Sequence, residues 1–201
     1  MILLLGGFPG VGKTLVCRKL VKALGFRSLE IGQTLRSLVG ENAFLETDNP
    51  RAPDRFESKI RGMITGVVRE YCRGDFNLVI DSTPRVVGQV RFLTTLIPAG
   101  TAIGLWIYAN TIIRTNRLSL RGGDSYKLAT TATYEPELAA WAALTGRMAC
   151  DTFDNARSWE DYDARATVSA IILSTWSRRG TPGVVYGGCL PAGSVDNIPD
   201  G

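Results

Sequence analysis

The chain has 201 residues, 45% of them hydrophobic and 21% charged, the balance of one ordinary globular domain. Eighteen of its 23 basic residues are arginine, and the formal charge of +4 suits anionic partners, yet no basic run reads as a nucleic-acid arm, so nucleic acid is not an expected partner. The absence of histidine excludes His-dependent triads, imidazole bases and histidine zinc sites. Four scattered cysteines with no CxxC pair fit reduced thiols. The opening MILLL is too short for a secretory segment, and no apolar run is long enough to span a bilayer, so a cytoplasmic protein without a membrane partner is expected.

In chain order, Ile2–Gly6 reads as a short buried strand. Gly12–Leu24 carries a helical stripe of Leu15, Val16, Leu20, Val21 and Leu24, stopped by Gly25. Arg27–Ile31 is a second strand. Gln33–Val39 and Asp54–Cys72 are helices separated by the polar stretch 40–53. Phe76–Ile80 is a strand, Val86–Ile97 a helix, Thr101–Tyr108 a strand and Thr111–Leu120 a helix. Residues 121–134 form a loop, Pro136–Thr145 a helix and Met148–Phe153 a strand. Ser158–Trp176 is a long helix with Ser158 as N-cap and Asp161 in its first turn. Strands alternating with helices predict an α/β fold on a parallel sheet. Residues 178–201 are rich in Gly and Pro, lack periodicity and read as a tail.

The stretch GGFPGVGKT, residues 6–14, fits the P-loop pattern G-x-x-x-x-G-K-[ST] from Gly7 to Thr14. Between a strand and a helix, such a loop turns backbone N–H groups toward phosphate oxygens, and side chains would block their approach. The positive end of the following helix adds to the attraction. Gly7, Gly10, Val11, Gly12, Lys13, Thr14 and Leu15 are therefore the expected ATP-binding residues. Lys13 would reach the β- and γ-phosphates, and the Thr14 hydroxyl would ligate Mg²⁺. A strand ending in Asp81 would set a second Mg²⁺ ligand beside that loop.

Asp81 opens D-x-x-P-R-x-x-x-Q, with Pro84, Arg85 and Gln89. Here the sequence resembles adenylate kinase and the wider nucleoside monophosphate kinase family. The resemblance extends to IGQTLR, residues 31–36, where Gly32, Leu35 and Arg36 match, to Arg117-x-x-x-Arg121 before a loop, and to CDTFDNARSWEDY, which begins at Cys150. It covers about residues 1–177 and implies a P-loop NTPase three-layer sandwich, a five-stranded parallel sheet in the order 2-3-1-4-5. It also implies an acceptor-binding insertion at about 32–75 and a lid at about 118–134. It implies that Gly32, Arg36, Arg85 and Gln89 bind the acceptor. Arg117 and Arg121 would be lid arginines, catalytic together with Lys13 and Arg85, while Asn155 and Arg157 would touch the donor adenine. Arg114 lies on the helical face of Arg117 and Arg121.

Ile31, Gln33 and Ser82 depart from the family's Thr-like, Asp and Gly residues, at positions near the acceptor nucleoside. Gln33 cannot act as a base, and Glu30 is the nearby carboxylate. A hydroxyl acceptor needs a base, whereas a monophosphate oxygen is already anionic and needs arginines to offset repulsion. The expected function is transfer of the γ-phosphoryl of ATP to a nucleoside or deoxynucleoside monophosphate, with Mg²⁺. A polynucleotide or small-molecule hydroxyl kinase, and a P-loop module that holds nucleotide without turnover, remain alternatives.

Overall fold

Ile2–Gly6 forms the first strand, β1, and all five of its residues are buried. A strand that is apolar on both faces belongs in the middle of a parallel sheet covered by helices on each side. The computed structural model, which describes residues 1–40, 57–120 and 135–155, places it there. After β1 come α1 (Lys13–Leu24), β2 (Arg27–Glu30), α2 (Ile31–Val39), α3 (Glu57–Arg73) and β3 (Leu78–Asp81). Then follow α4 (Val87–Leu96), β4 (Ala102–Tyr108), α5 (Thr111–Ser119), α6 (Glu135–Thr145) and β5 (Ala149–Asp154). The five strands are parallel in the order β2-β3-β1-β4-β5, as expected.

This order decides where a ligand can sit. From β1 the chain crosses over β3 to reach β2, and from β3 it crosses over β1 to reach β4. Right-handed crossovers in opposite directions put α1 and α4 on opposite faces. The connections leaving the neighbours β1 and β3 therefore diverge, and a crevice opens at their C-terminal ends. The register sets Leu5 opposite Asp81, so the loop after β1 and the end of β3 share that crevice.

The α1 helix buries Val16, Cys17 and Leu20 and packs on β1, β2 and β3. Burial pushes the Cys17 thiol up to about 12, with Asp81 and Glu30 adding to it, so it is an inert core group. Helix α6 buries Ala140, Trp141 and Leu144, meets α4 and covers the sheet where β1 and β4 carry glycine. A Cβ on Gly6 would lie 2.0 Å from the Trp141 ring, and one on Gly104 would lie 2.7 Å from Cys150 Sγ and 2.9 Å from Trp141. The two glycines are the space into which the indole fits.

Element edges differ from expectation in a few places. No gap separates β2 from α2: the helix starts at Ile31, and Gly32 lies in its first turn, where a Cβ would meet nothing within 4 Å. Strand β3 starts at Leu78 instead of Phe76 and ends at Asp81, which pairs with Leu5 and Glu30. The expected lid segment 121–134 with Arg121, the Ser158–Trp176 helix, Arg157 and the tail lie outside the described residues. Among the described residues, no helix is long and apolar enough to cross a membrane.

Candidate active site

The loop from Gly7 to Gly12 turns tightly between β1 and α1. Gly7 has φ 131° and Gly12 φ 94°, values that side chains rarely adopt. Space enforces the same choice: a Cβ on Gly7 would lie 2.2 Å from the Ile107 carbonyl oxygen, and one on Gly12 would lie 2.4 Å from Asn155 Nδ2. Gly12 leads directly into α1, whose first residues are Lys13 and Thr14. Leu15, one residue on, is exposed.

The carbonyls of this loop are held by cations and amides. Lys13 Nζ donates to Gly7 O at 2.6 Å and to Phe8 O at 3.2 Å. Arg114 Nε donates to Pro9 O at 3.0 Å, and its guanidinium lies 4.8 Å from the centre of the Phe8 ring. Phe8 in turn meets Trp106 edge-on at 5.3 Å. Arg117 donates to Val11 O at 3.2 Å and to Asn155 O at 2.8 Å, and Asn155 Nδ2 donates to Val11 O at 2.6 Å. Arg117, expected as a lid arginine, and Asn155, expected to touch the donor adenine, brace the loop itself. Arg114 does so from a buried position, which the sequence placed on the arginine face without a partner.

At the end of β3, Asp81 is buried and both its oxygens are engaged. Thr14 Oγ1 donates to Oδ2 at 3.0 Å, and Ser82 Oγ donates to Oδ1 at 2.9 Å. Ser82 has φ 70°. A non-glycine residue there costs on the order of 1 kcal/mol, offset by that hydroxyl bond and by a 3.0 Å bond from Ser82 N to Leu5 O. Thr14 and Asp81 form a pair of hard oxygen donors suited to Mg²⁺, which takes one or two protein oxygens and fills the rest of its shell from water and phosphate.

One cleft joins the loop to the other side of the crevice. Gly7, Lys13, Ser82, Pro84 and Arg85 line it, with Glu137 and Trp141 from α6. Burial pushes the Lys13 ammonium below the usual lysine range, the charges of Asp81 and Glu137 pull it back up, and Arg85 and Arg114 lower it. Arg85 Nε lies 3.3 Å from Glu137 Oε1. Gln89 is not at the surface but 2% exposed: its Oε1 accepts from Arg85 N at 2.7 Å, and its Nε2 donates to Glu57 Oε2 at 2.7 Å. Glu57 also takes Arg61 Nε at 2.6 Å. Arg36 is exposed on α2 and is not among the residues lining the cleft, and Gly32 is half-buried one turn before it.

Glu137 and Glu57 escaped the sequence reading. Acidic residues in the first turn of a helix ordinarily read as partners of its dipole, and E-P-E in α6 fits that description. Only the docking of Trp141 on the sheet brings Glu137 to the cleft.

The match to known proteins follows the same outline. The family model for the AAA domain matches residues 6–113, from the end of β1 into α5. A cytidylate kinase of Saccharolobus islandicus (strain L.S.2.15 / Lassen #1) is 28% identical over 126 residues, 63% of this chain and 62% of that protein's length. An adenylate kinase of Mesoplasma florum is 28% identical over 125 residues, 60% of this chain and 59% of that protein. The chain thus spans about three-fifths of the length of these curated relatives. In fold it resembles a chain of Chloroflexus aurantiacus j-10-fl, provisionally called a kinase, with a TM-score of 0.58 at 16% identity, covering 86% of this chain and 96% of the other.

Proposed function

This chain belongs to the AAA domain family, and on that premise we propose that it is an ATP-dependent kinase whose acceptor is a nucleoside or deoxynucleoside monophosphate. The observation that carries the reading is the single cleft lined by both Lys13 and Arg85. A phosphate cradle stands on one side of it and a guanidinium on the other, as two anions that must meet require. The names of the two relatives support the same class of acceptor.

On this reading the loop N–H groups and Lys13 take the phosphates of ATP, and Arg114, Arg117 and Asn155 keep the loop in shape from behind. Thr14 and Asp81 hold Mg²⁺, which when bound offsets phosphate charge. Arg85 and Arg36 grip the acceptor phosphate. The attacking oxygen is already anionic, so no side chain has to remove a proton. Residues 1–177 form the kinase domain, with the acceptor region at about 32–75 and a lid at about 118–134 that brings Arg121 over the phosphates. Arg157 is assigned with Asn155 to the adenine side.

The test is transfer from labelled ATP to a panel of AMP, CMP, GMP, UMP and their deoxy forms, run beside nucleosides and polynucleotide ends. Transfer to monophosphates alone is expected. One observation favours a second reading, a hydroxyl acceptor: Glu137 supplies a carboxylate in the cleft, where Glu30, 3.8 Å from Arg18 at the end of β2, is not a lining residue. Transfer to hydroxyls only would establish that reading. Nucleotide binding without transfer to any acceptor would make the chain a binding module.

A further inference from the structure

We infer that Glu137 is a positioning residue of the acceptor site, acting through Arg85; the inference rests on the monophosphate-kinase reading and refines it. The α6 helix is anchored by Ala140, Trp141 and Leu144, and Trp141, one turn after Glu137, lines the same cleft. Glu137 is thereby fixed at the cleft wall with only 17% of its side chain exposed. Its Oε1 faces Arg85 Nε at 3.3 Å. A carboxylate on the Nε side of a guanidinium sets the plane of the whole planar group, and so the direction of its fork. Arg85 is held at its backbone as well, where its N–H meets the buried Gln89 amide. Side chain and backbone are thus gripped from two different helices, α6 and α4.

The other carboxylate oxygen argues that this grip serves function and not stability. Glu137 Oε2 is buried and has no hydrogen-bond partner among the described residues. A buried acceptor left unpaired is destabilising, and native folds keep few of them. A residue selected to strengthen the fold would not carry that penalty. A residue selected to orient Arg85 beside Lys13 can, because stability and the arrangement of a charged site often pull in opposite directions. Glu137 also lines the same cleft as Lys13, so one carboxylate faces cations on both sides of it.

The experiment compares wild type, Glu137→Gln and Glu137→Asp in initial-rate kinetics with the monophosphate panel, together with thermal unfolding. In Glu137→Gln the acceptor KM is expected to rise by roughly fivefold or more, with kcat falling far less and the ATP KM little changed. Its Tm is expected to equal or exceed that of wild type, and Glu137→Asp should recover part of the acceptor KM. A merely structural carboxylate would lower Tm and leave the acceptor KM alone, which overturns the inference. A collapse of kcat at unchanged KM makes Glu137 a base and overturns it too. A tighter acceptor KM in Glu137→Gln means the carboxylate competes for Arg85, and this also overturns it. If wild type transfers to no monophosphate, the parent reading falls and the inference falls with it, whereas normal wild-type transfer with an unshifted variant sinks the inference alone.

Discussion

The two sides of the cleft are built from different materials. Around the loop from Gly7 to Gly12 the described side-chain contacts end on backbone carbonyls: Gly7, Phe8, Pro9 and Val11 receive Lys13, Arg114, Arg117 and Asn155. Across the cleft most of them run from side chain to side chain, Arg85 to Glu137, Gln89 to Glu57 and Arg61 to Glu57, with Arg85 N on Gln89 Oε1 the exception. A carbonyl cannot be mutated away, so the loop keeps its acceptors whatever the sequence around it does. A pair of side chains can be exchanged, shortened or re-aimed by one substitution at either end. On the proposed function the first side would serve the triphosphate, which never varies, and the second the acceptor.

The contrast can be broken most severely at Lys13, which bonds the loop and lines the cleft. Lys13→Ala should lower transfer at least ~10²-fold with the fold intact, measured as kcat alongside circular dichroism. Near-normal turnover would show that the loop does not hold the reacting phosphates. Next comes Asp81→Asn, which keeps the shape and one oxygen acceptor but removes the charge. It should cut the rate by roughly tenfold or more and raise the Mg²⁺ concentration for half-maximal rate. An unchanged Mg²⁺ titration would reduce Asp81 to a strand-end partner of Thr14 and Ser82.

Two smaller effects sharpen the division between sides. Arg85→Lys retains the charge but loses the planar fork, so the acceptor KM should rise by roughly tenfold while the ATP KM holds. Arg117→Ala should do the opposite, raising the ATP KM by about threefold to fivefold through a loosened Val11 carbonyl and leaving the acceptor KM alone. If both variants shift both constants together, the two sides are one unit and the contrast is only architectural.

Much of this was open to a reader of the sequence. The glycine spacing, Lys13 and Thr14 announce the loop because backbone geometry and phosphate chemistry leave few alternatives there. Apolar β1 and the strand ending in Asp81 likewise announce the centre of a parallel sheet. What escaped depends on docking. Gln89 alone reads as a surface amide, and its burial against Arg85 N and Glu57 exists only once α3 and α4 meet. Arg114 and Arg117 were legible as one helical face, yet which carbonyls they hold follows from how α5 lies against the loop. Ser82 departs from the family's glycine at a position where φ is 70°, a deviation that the local sequence does not signal and that Asp81 and Leu5 offset by hydrogen bonding.

The indole of Trp141, seated over Gly6 and Gly104, ties three distant positions into one heritable unit. A methyl group added at Gly6 would lie 2.0 Å from the indole, so an alanine there needs residue 141 to be smaller or displaced. The reverse order is open: a smaller residue at 141 leaves a void that costs stability but obstructs nothing, after which Gly6 is released, while Gly104 also needs Cys150 to give way. Drift at these sites therefore has a direction, with the helix changing first and the strands afterwards. Any lineage that takes that path also alters the wall of the cleft, because Trp141 stands there beside Glu137. Among relatives, the residue at 141 should predict whether β1 keeps its glycine, and the residues at 141 and 150 together whether β4 does.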